Sequence, residues 1–142
     1  MSGFLLDTNV ISEPARRRPD ANVMRWLTEA EQQLLYLSAF TPAELRKGIV
    51  KLGPDPRAAK IEARLQALRL RFAGRILPLD DDVLDRWGQI VGTAEARGTP
   101  ISSIDALFAA TALHHDLVFV TRNVRGMDVT GVQLLNPWTA TP

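Results

Sequence analysis

The run Leu117-Val118-Phe119-Val120-Thr121 constrains the fold more than any other stretch of this chain. It is almost entirely apolar and rich in β-branched and aromatic side chains, which suits a strand covered on both faces. Strands of that kind belong to parallel sheets packed between helices. A second apolar run, Phe4-Leu5-Leu6, opens the chain, and segments of helical periodicity lie between the two. The alternation reads as βαβ units, so the expected class is α/β: a central, mostly parallel sheet between two helical layers.

Residues 3–6 predict the first strand. Asp20 is placed to cap a helix over about 21–31, and Leu34-Leu35-Tyr36-Leu37 predicts the second strand. Thr41-Pro42-Ala43-Glu44 combines an N-cap hydroxyl, a proline at the first helical position and a Glu at N3, which predicts a helix from there to about Leu52. Gly53-Pro54-Asp55-Pro56 breaks it. From Arg57 to Phe72, Ile61, Leu65, Leu68 and Phe72 define an apolar helical side. Arg57, Lys60, Arg64 and Arg71 form a basic face, either solvated or offered to a partner or a phosphate chain.

Further along, residues 75–79 predict a short strand, and Asp80-Asp81-Asp82 the acidic first turn of a helix to about Arg97, stopped by Gly98. Ser102 is placed to cap a helix over about 103–115, whose alanines permit close packing on the sheet. A short strand is expected around Val132–Leu135. No repeat or linker interrupts the pattern, so residues 1–142 are expected to form one domain.

Composition narrows the chemistry. There is no cysteine, which excludes disulfides and thiolate metal sites, and His114 and His115 are the only histidines. Adjacent on a helix, these two point about 100° apart and make poor co-ligands, so a helix C-terminal dipole role is assigned to them. Trp26, Trp87 and Trp138 are read as packing residues. No signal peptide or membrane span is legible, and a cytoplasmic location is expected. A net charge of +1 gives no global pull on nucleic acid, although the Arg16-Arg17-Arg18 cluster suits phosphate.

Three acids stand at element boundaries: Asp7 after the first strand, and Glu44 and Asp105 in first helical turns. Thr41-x-x-Glu44 and Ser102-x-x-Asp105 are both good capping boxes, and capping explains each acid singly. Capping does not explain all three on the carboxyl-end rim of one sheet, where α/β proteins place their function. Clustered carboxylates need a positive compensator, and a hard divalent cation prefers oxygen ligands.

Leu5-Leu6-Asp7-Thr8-Asn9-Val10-Ile11-Ser12, Thr41-x-Ala43-Glu44-Leu45-Arg46-x-Gly48, Ile101-Ser102-x-x-Asp105-Ala106, Val120-Thr121-Arg122-Asn123, and Gly131-Val132 through Asn136-Pro137-Trp138 resemble, in order, the motifs of PIN-domain ribonucleases. More closely, they resemble the VapC toxins of toxin–antitoxin pairs, in the FitB-like subgroup. The resemblance implies a three-layer α/β/α PIN-like fold, Mg²⁺ or Mn²⁺ held by Asp7, Glu44 and Asp105, and hydrolysis of RNA. It implies that Thr8 and Asn9 support Asp7 and its surroundings and, with Arg46, Arg122 and Asn123, face the substrate. A cognate VapB-like antitoxin seated in a groove flanked by Arg46 and Arg122, and a homodimer, are expected on the same ground.

One departure matters. The family pattern Thr-Arg-Asn-x-x-Asp meets Gly126 here in place of its acid, and Asp128 lies two residues on, proposed as a catalytic substitute or else a solvated loop residue. A PIN fold with a weakened site, kept as an RNA- or protein-binding module, is therefore the alternative function. A haloacid-dehalogenase-like phosphotransferase is disfavoured by Asn9, which stands where that class has a second Asp. A response-regulator receiver is disfavoured by the missing acidic pair in residues 1–12.

Overall fold

In the computed structural model, which describes residues 3–139, five short strands form one parallel sheet. They are β1 (Phe4–Leu6), β2 (Leu35–Ser38), β3 (Ile76–Leu77), β4 (Val118–Val120) and β5 (Leu134–Leu135), in spatial order β3-β2-β1-β4-β5. Around them lie α1 (Thr8–Ser12), α2 (Ala21–Glu29), α3 (Phe40–Leu52), α4 (Arg57–Arg71), α5 (Asp81–Ala96) and α6 (Ser103–His114). The chain steps outward from β1 to β2 and β3, then returns to the other side of β1 as β4 and β5. The strand order therefore reverses between β1 and β4, and α/β sheets place their ligands at the carboxyl end of such a switch.

Successive side chains of β1 point to opposite faces, and the two leucines divide the core accordingly. Leu6 packs with Val10, Val23, Leu35, Leu37 and Phe72 on one side. Leu5 packs with Phe108, Ala109, Ala112, Phe119 and Met127 on the other. All of these are essentially inaccessible, and burying each large side chain contributes roughly 1.5–3 kcal/mol. The alanines of α6 keep that helix close: Ala106, Ala109, Ala110 and Ala112 are fully buried. Gly3 allows a similar approach at the strand entry, with φ of 119° and room only for hydrogen, because a Cβ there would lie 2.5 Å from the Leu34 carbonyl oxygen.

The strands expected at 75–79, 117–121 and 132–135 shrink to two or three paired residues each. The stretch after Asp7, where the sequence predicts no helix before residue 21, is helical: α1 runs directly into a 3₁₀ turn over Glu13–Ala15. Glu13 is buried there, and its carboxylate accepts the Asp20 backbone N–H at 2.8 Å, which closes the loop carrying the exposed Arg16, Arg17 and Arg18. Asp20 then caps α2 as expected, accepting from the N–H groups of Asn22 and Val23.

The start of α3 departs from expectation. Only Ala39 separates β2 from the helix, so the helix begins at Phe40 and Thr41 lies inside it. The N-terminal bond is supplied by Ser38, whose hydroxyl accepts the Phe40 N–H at 3.0 Å. The Thr41-Glu44 capping box does not form. The expected cap at Ser102 does form, accepting from the Asp105 N–H, and Asp80, read as a first-turn acid, is itself the N-cap of α5, accepting from the Val83 N–H.

Candidate active site

Asp7 leaves β1 at the switch point, and its backbone N–H donates to the Val120 carbonyl of β4 at 2.9 Å. It occupies the N-cap position of α1, yet its side chain makes no capping bond. Its Oδ2 instead accepts the Thr121 hydroxyl at 2.7 Å. Thr121 is buried, and its Oγ1 also accepts the Asn123 N–H at 3.1 Å, which fixes the hydroxyl toward the carboxylate. The residue after β4 is thus the brace of the residue after β1.

Asp105, in the first turn of α6, is drawn to the same place. The Asn123 side-chain amide donates to its Oδ2 at 3.5 Å, a long contact. Burial holds the Asp105 carboxyl above the ordinary aspartate range, and the nearby Asp7 charge adds to the rise. Asp7 is raised as well, by burial first, with the Thr121 hydroxyl pulling it partly back. Two carboxylates that are costly to ionise share one rim, the arrangement a cation relieves.

Glu44 sits one turn into α3 and accepts the Thr8 hydroxyl at 2.5 Å, in the range of a charge-assisted bond. Among the described residues, no three acidic or imidazole side chains converge tightly enough to enclose a metal ion. Asp7 and Asp105 are neighbours by charge, whereas Glu44 is held by Thr8. In chemistry the donor set still fits a hard divalent cation, since every ligand on offer is oxygen and none of the three carboxylates forms an ion pair among the described residues.

The expected flanking residues divide. Thr8 braces Glu44; for Asp7 that role belongs to Thr121, which the motif contained without marking it as a brace. Asn9 is exposed on α1. Arg46 is committed elsewhere, its guanidinium fork bound to both oxygens of Glu62 at 2.6 and 3.0 Å across the α3–α4 pair. Arg122 lies exposed at the rim with its guanidinium 5.4 Å from the Trp138 ring centre, so Trp138 is more than packing.

Asp128 is exposed at the start of a 3₁₀ turn over Asp128–Thr130, and its charge is not among the causes that raise Asp7 and Asp105. The glycine before it has its own reason. Gly126 has φ of 79°, left-handed, in a turn closed by the Met127 N–H on the Val124 carbonyl at 3.2 Å. That turn delivers Met127 into the core, 1% exposed. An aspartate at 126 meets strained backbone rather than lack of space.

The PIN domain family model matches residues 4–131. The chain is 42% identical over 136 residues to Toxin FitB of Neisseria gonorrhoeae, covering 95% of this chain and 98% of that one. It is 36% identical over 136 residues to VapC ribonuclease Y4jK of Sinorhizobium fredii, covering 95% and 97%. Among solved structures it superimposes on FitAcB from Neisseria gonorrhoeae with a TM-score of 0.90 at 40% identity, covering 96% of this chain and 99% of that one. FitAB bound to a DNA fragment gives a TM-score of 0.90 at 38% identity, covering 98% of both chains. With the family model spanning nearly the whole chain and such relatives aligned almost end to end, this chain belongs to the PIN-domain family, in the branch of FitB and the VapC ribonucleases.

Proposed function

We propose that the chain acts as one domain, a Mg²⁺- or Mn²⁺-dependent endoribonuclease, and serves as the toxin of a toxin–antitoxin pair. The observation that carries the reading is the convergence of Asp7 and Asp105 at the β1–β4 switch, Asp7 held by the Thr121 hydroxyl and Asp105 contacted by the side-chain amide of Asn123, whose backbone N–H bonds that same hydroxyl. Burial raises both carboxyls, and the Asp7 charge adds to the rise at Asp105. Family membership and relatives named as toxins and ribonucleases support it.

In this reading Asp7, Asp105 and Glu44 supply the carboxylate oxygens that hold the cation. A divalent ion held there would supply positive charge beside the phosphate and make a neighbouring water easier to deprotonate. Thr121 and Asn123 keep the two aspartates in place, and Thr8 keeps Glu44. Arg122, steadied on Trp138, offers a planar cation to a neighbouring phosphate. Because, among the described residues, no histidine is hydrogen-bonded to Ser102 or to the three acids, direct attack by water is the simpler route than a covalent intermediate.

A partner segment has a seat nearby. A cleft of about 310 Å³ lies among α1, α3 and α4, lined by Ile11, Pro14, Leu45 and Leu68, with Arg64 and Arg71 on its border. Its apolar floor and basic edge suit an antitoxin segment better than a groove flanked by Arg46, which is already paired. A homodimer is proposed on family resemblance. No described helix is long and apolar enough to cross a membrane, and a cytoplasmic site of action is part of the proposal.

The test is cleavage of single-stranded and loop RNA by the purified chain in Mn²⁺ or Mg²⁺, abolished by chelator. Cleavage that persists in chelator refutes the metal-dependent reading. A binding module with little catalysis is the second reading, favoured by Gly126, and tight RNA binding without cleavage selects it. Growth arrest on expression, relieved by co-expressing the neighbouring small gene, tests the toxin assignment separately.

A further inference from the structure

We infer that Thr41 is a positioning residue for the acidic site, the buried origin of a one-way hydroxyl chain that fixes Glu44. Thr41 is completely inaccessible, and its Oγ1 lies 2.9 Å from Thr8 Oγ1. Geometry alone lets either hydroxyl donate. Chemistry decides the direction: Thr8 has one hydroxyl proton, and it points to Glu44 Oε1 at 2.5 Å. A carboxylate only accepts, so the bond between the two threonines is made by the Thr41 proton. The order is Thr41 to Thr8 to Glu44, with each bond polarising the next.

The same residue explains why the capping box is absent. With α3 begun at Phe40, neither the Thr41 hydroxyl nor the Glu44 carboxylate serves the helix start. Both groups are free to reach α1, where Thr8 follows Asp7 directly. The chain thus ties α3 to the strand end that carries Asp7. Groups that hydrogen-bond a metal ligand directly, as Thr8 does Glu44, typically change metal affinity by about 10- to 100-fold when removed, and Thr41, one bond further out, is expected at the lower end of that range.

The consequence for metal binding rests on the nuclease reading above, whereas the fixing of Glu44 does not, and two measurements separate them. In the metal-free protein, NMR couplings of the Glu44 side chain are expected to report one rotamer in the parent and in Thr41→Ser, and averaging in Thr41→Val. In Mn²⁺ titrations followed by calorimetry, Thr41→Val is expected to bind about tenfold more weakly, and Thr41→Ser like the parent. Thermal melts check that both fold, and Thr41→Ala replaces Thr41→Val should the valine not be accommodated. A single Glu44 rotamer in the variant without the hydroxyl overturns the proposal. So does equal averaging in Thr41→Ser, which assigns the effect to packing. A parent chain that holds Glu44 in one rotamer but binds no Mn²⁺ refutes the nuclease reading and leaves the positioning intact.

Discussion

Ser102-x-x-Asp105 and Thr41-x-x-Glu44 share the spacing of a hydroxyl and an acid, and both stand at a helix start beside the carboxyl ends of the strands. Ser102 behaves as the motif suggests and accepts the Asp105 N–H at 3.2 Å. Thr41 does not, because α3 begins at Phe40, one residue after the end of β2 and its junction residue Ala39, and Ser38 takes over the cap. The difference lies in the connection rather than the motif. A loop before α6 leaves room for a cap, whereas the tight β2–α3 junction swallows it. In both cases the acid escapes capping duty: Asp105 toward Asp7, and Glu44 toward Thr8. A capping box read from sequence is therefore no argument against a functional acid.

The strongest way to break this comparison is at Asp7, whose charge reaches Asp105 and which directly precedes Thr8, the brace of Glu44. Asp7→Asn keeps the shape and the Thr121 contact while removing the charge a divalent ion needs. Metal catalysis is worth several kcal/mol, so RNA cleavage is expected to fall by about a hundred- to a thousandfold in a gel assay. Stability should move the other way. The Asp7 and Asp105 pKa values are raised above the ordinary 3.8. Between 3.8 and the raised value the folded chain holds more protons than the unfolded one, so the stability of the metal-free protein falls as pH rises through that window. In chelator, Asp7→Asn should flatten that slope and melt higher than the parent at neutral pH. A variant that still cleaves at the parental rate removes Asp7 from the metal site.

Next in size is the contrast between the two acids themselves. Asp105→Asn removes one of the paired charges and is expected to cost about a hundredfold in cleavage. Glu44→Gln should cost less, roughly tenfold, because the amide oxygen still accepts the Thr8 hydroxyl and keeps the side chain in place. Initial rates across a Mn²⁺ series distinguish the two, and a larger loss for Glu44→Gln inverts the assignment of roles.

Much of the fold was legible in the residues for identifiable reasons. The β1 and β4 runs, the caps at Asp20 and Ser102, and the break after α3 all depend on local chemistry, and each appears where local chemistry places it. What local chemistry does not carry was missed. The helical turn after Asp7 stands because Val10 is buried in the core. The Arg46–Glu62 pair requires knowing that α3 and α4 lie side by side. The Thr121 brace requires knowing that β1 and β4 are neighbours although 114 positions separate the two residues.

A stability measurement sharpens the capping half of the comparison. Ser102→Ala and Ser38→Ala each remove a hydroxyl that accepts a helix-start N–H, and each is expected to destabilise the fold by about 1 kcal/mol in urea denaturation. Ser38 is 1% exposed and its Phe40 partner half-buried, so the Phe40 N–H is only partly open to water when the hydroxyl is lost, which places Ser38→Ala above Ser102→Ala in that effect. If Ser38→Ala is neutral and a Thr41 variant carries the capping loss instead, the helix starts where the sequence motif places it and the comparison fails.

The smallest effect is expected at Asp128, the residue nearest in sequence to the missing fourth acid. It is exposed at the start of the 3₁₀ turn, and its charge is not among the causes that raise Asp7 and Asp105. The turn before it is fixed by the left-handed Gly126 and by Met127 buried in the core, so the segment is anchored rather than free to swing toward the rim. Asp128→Asn should therefore leave both cleavage and the Mn²⁺ requirement close to the parent's, within about the twofold range of an ordinary surface substitution. Gly126→Asp should destabilise the fold by roughly 1 kcal/mol through its backbone conformation, whatever it does to metal binding. A clear rise in the Mn²⁺ requirement of Asp128→Asn, reversed by Gly126→Asp, reinstates Asp128 as the fourth acid. In that event the loop after β4 must move on binding metal, despite the anchor at Met127.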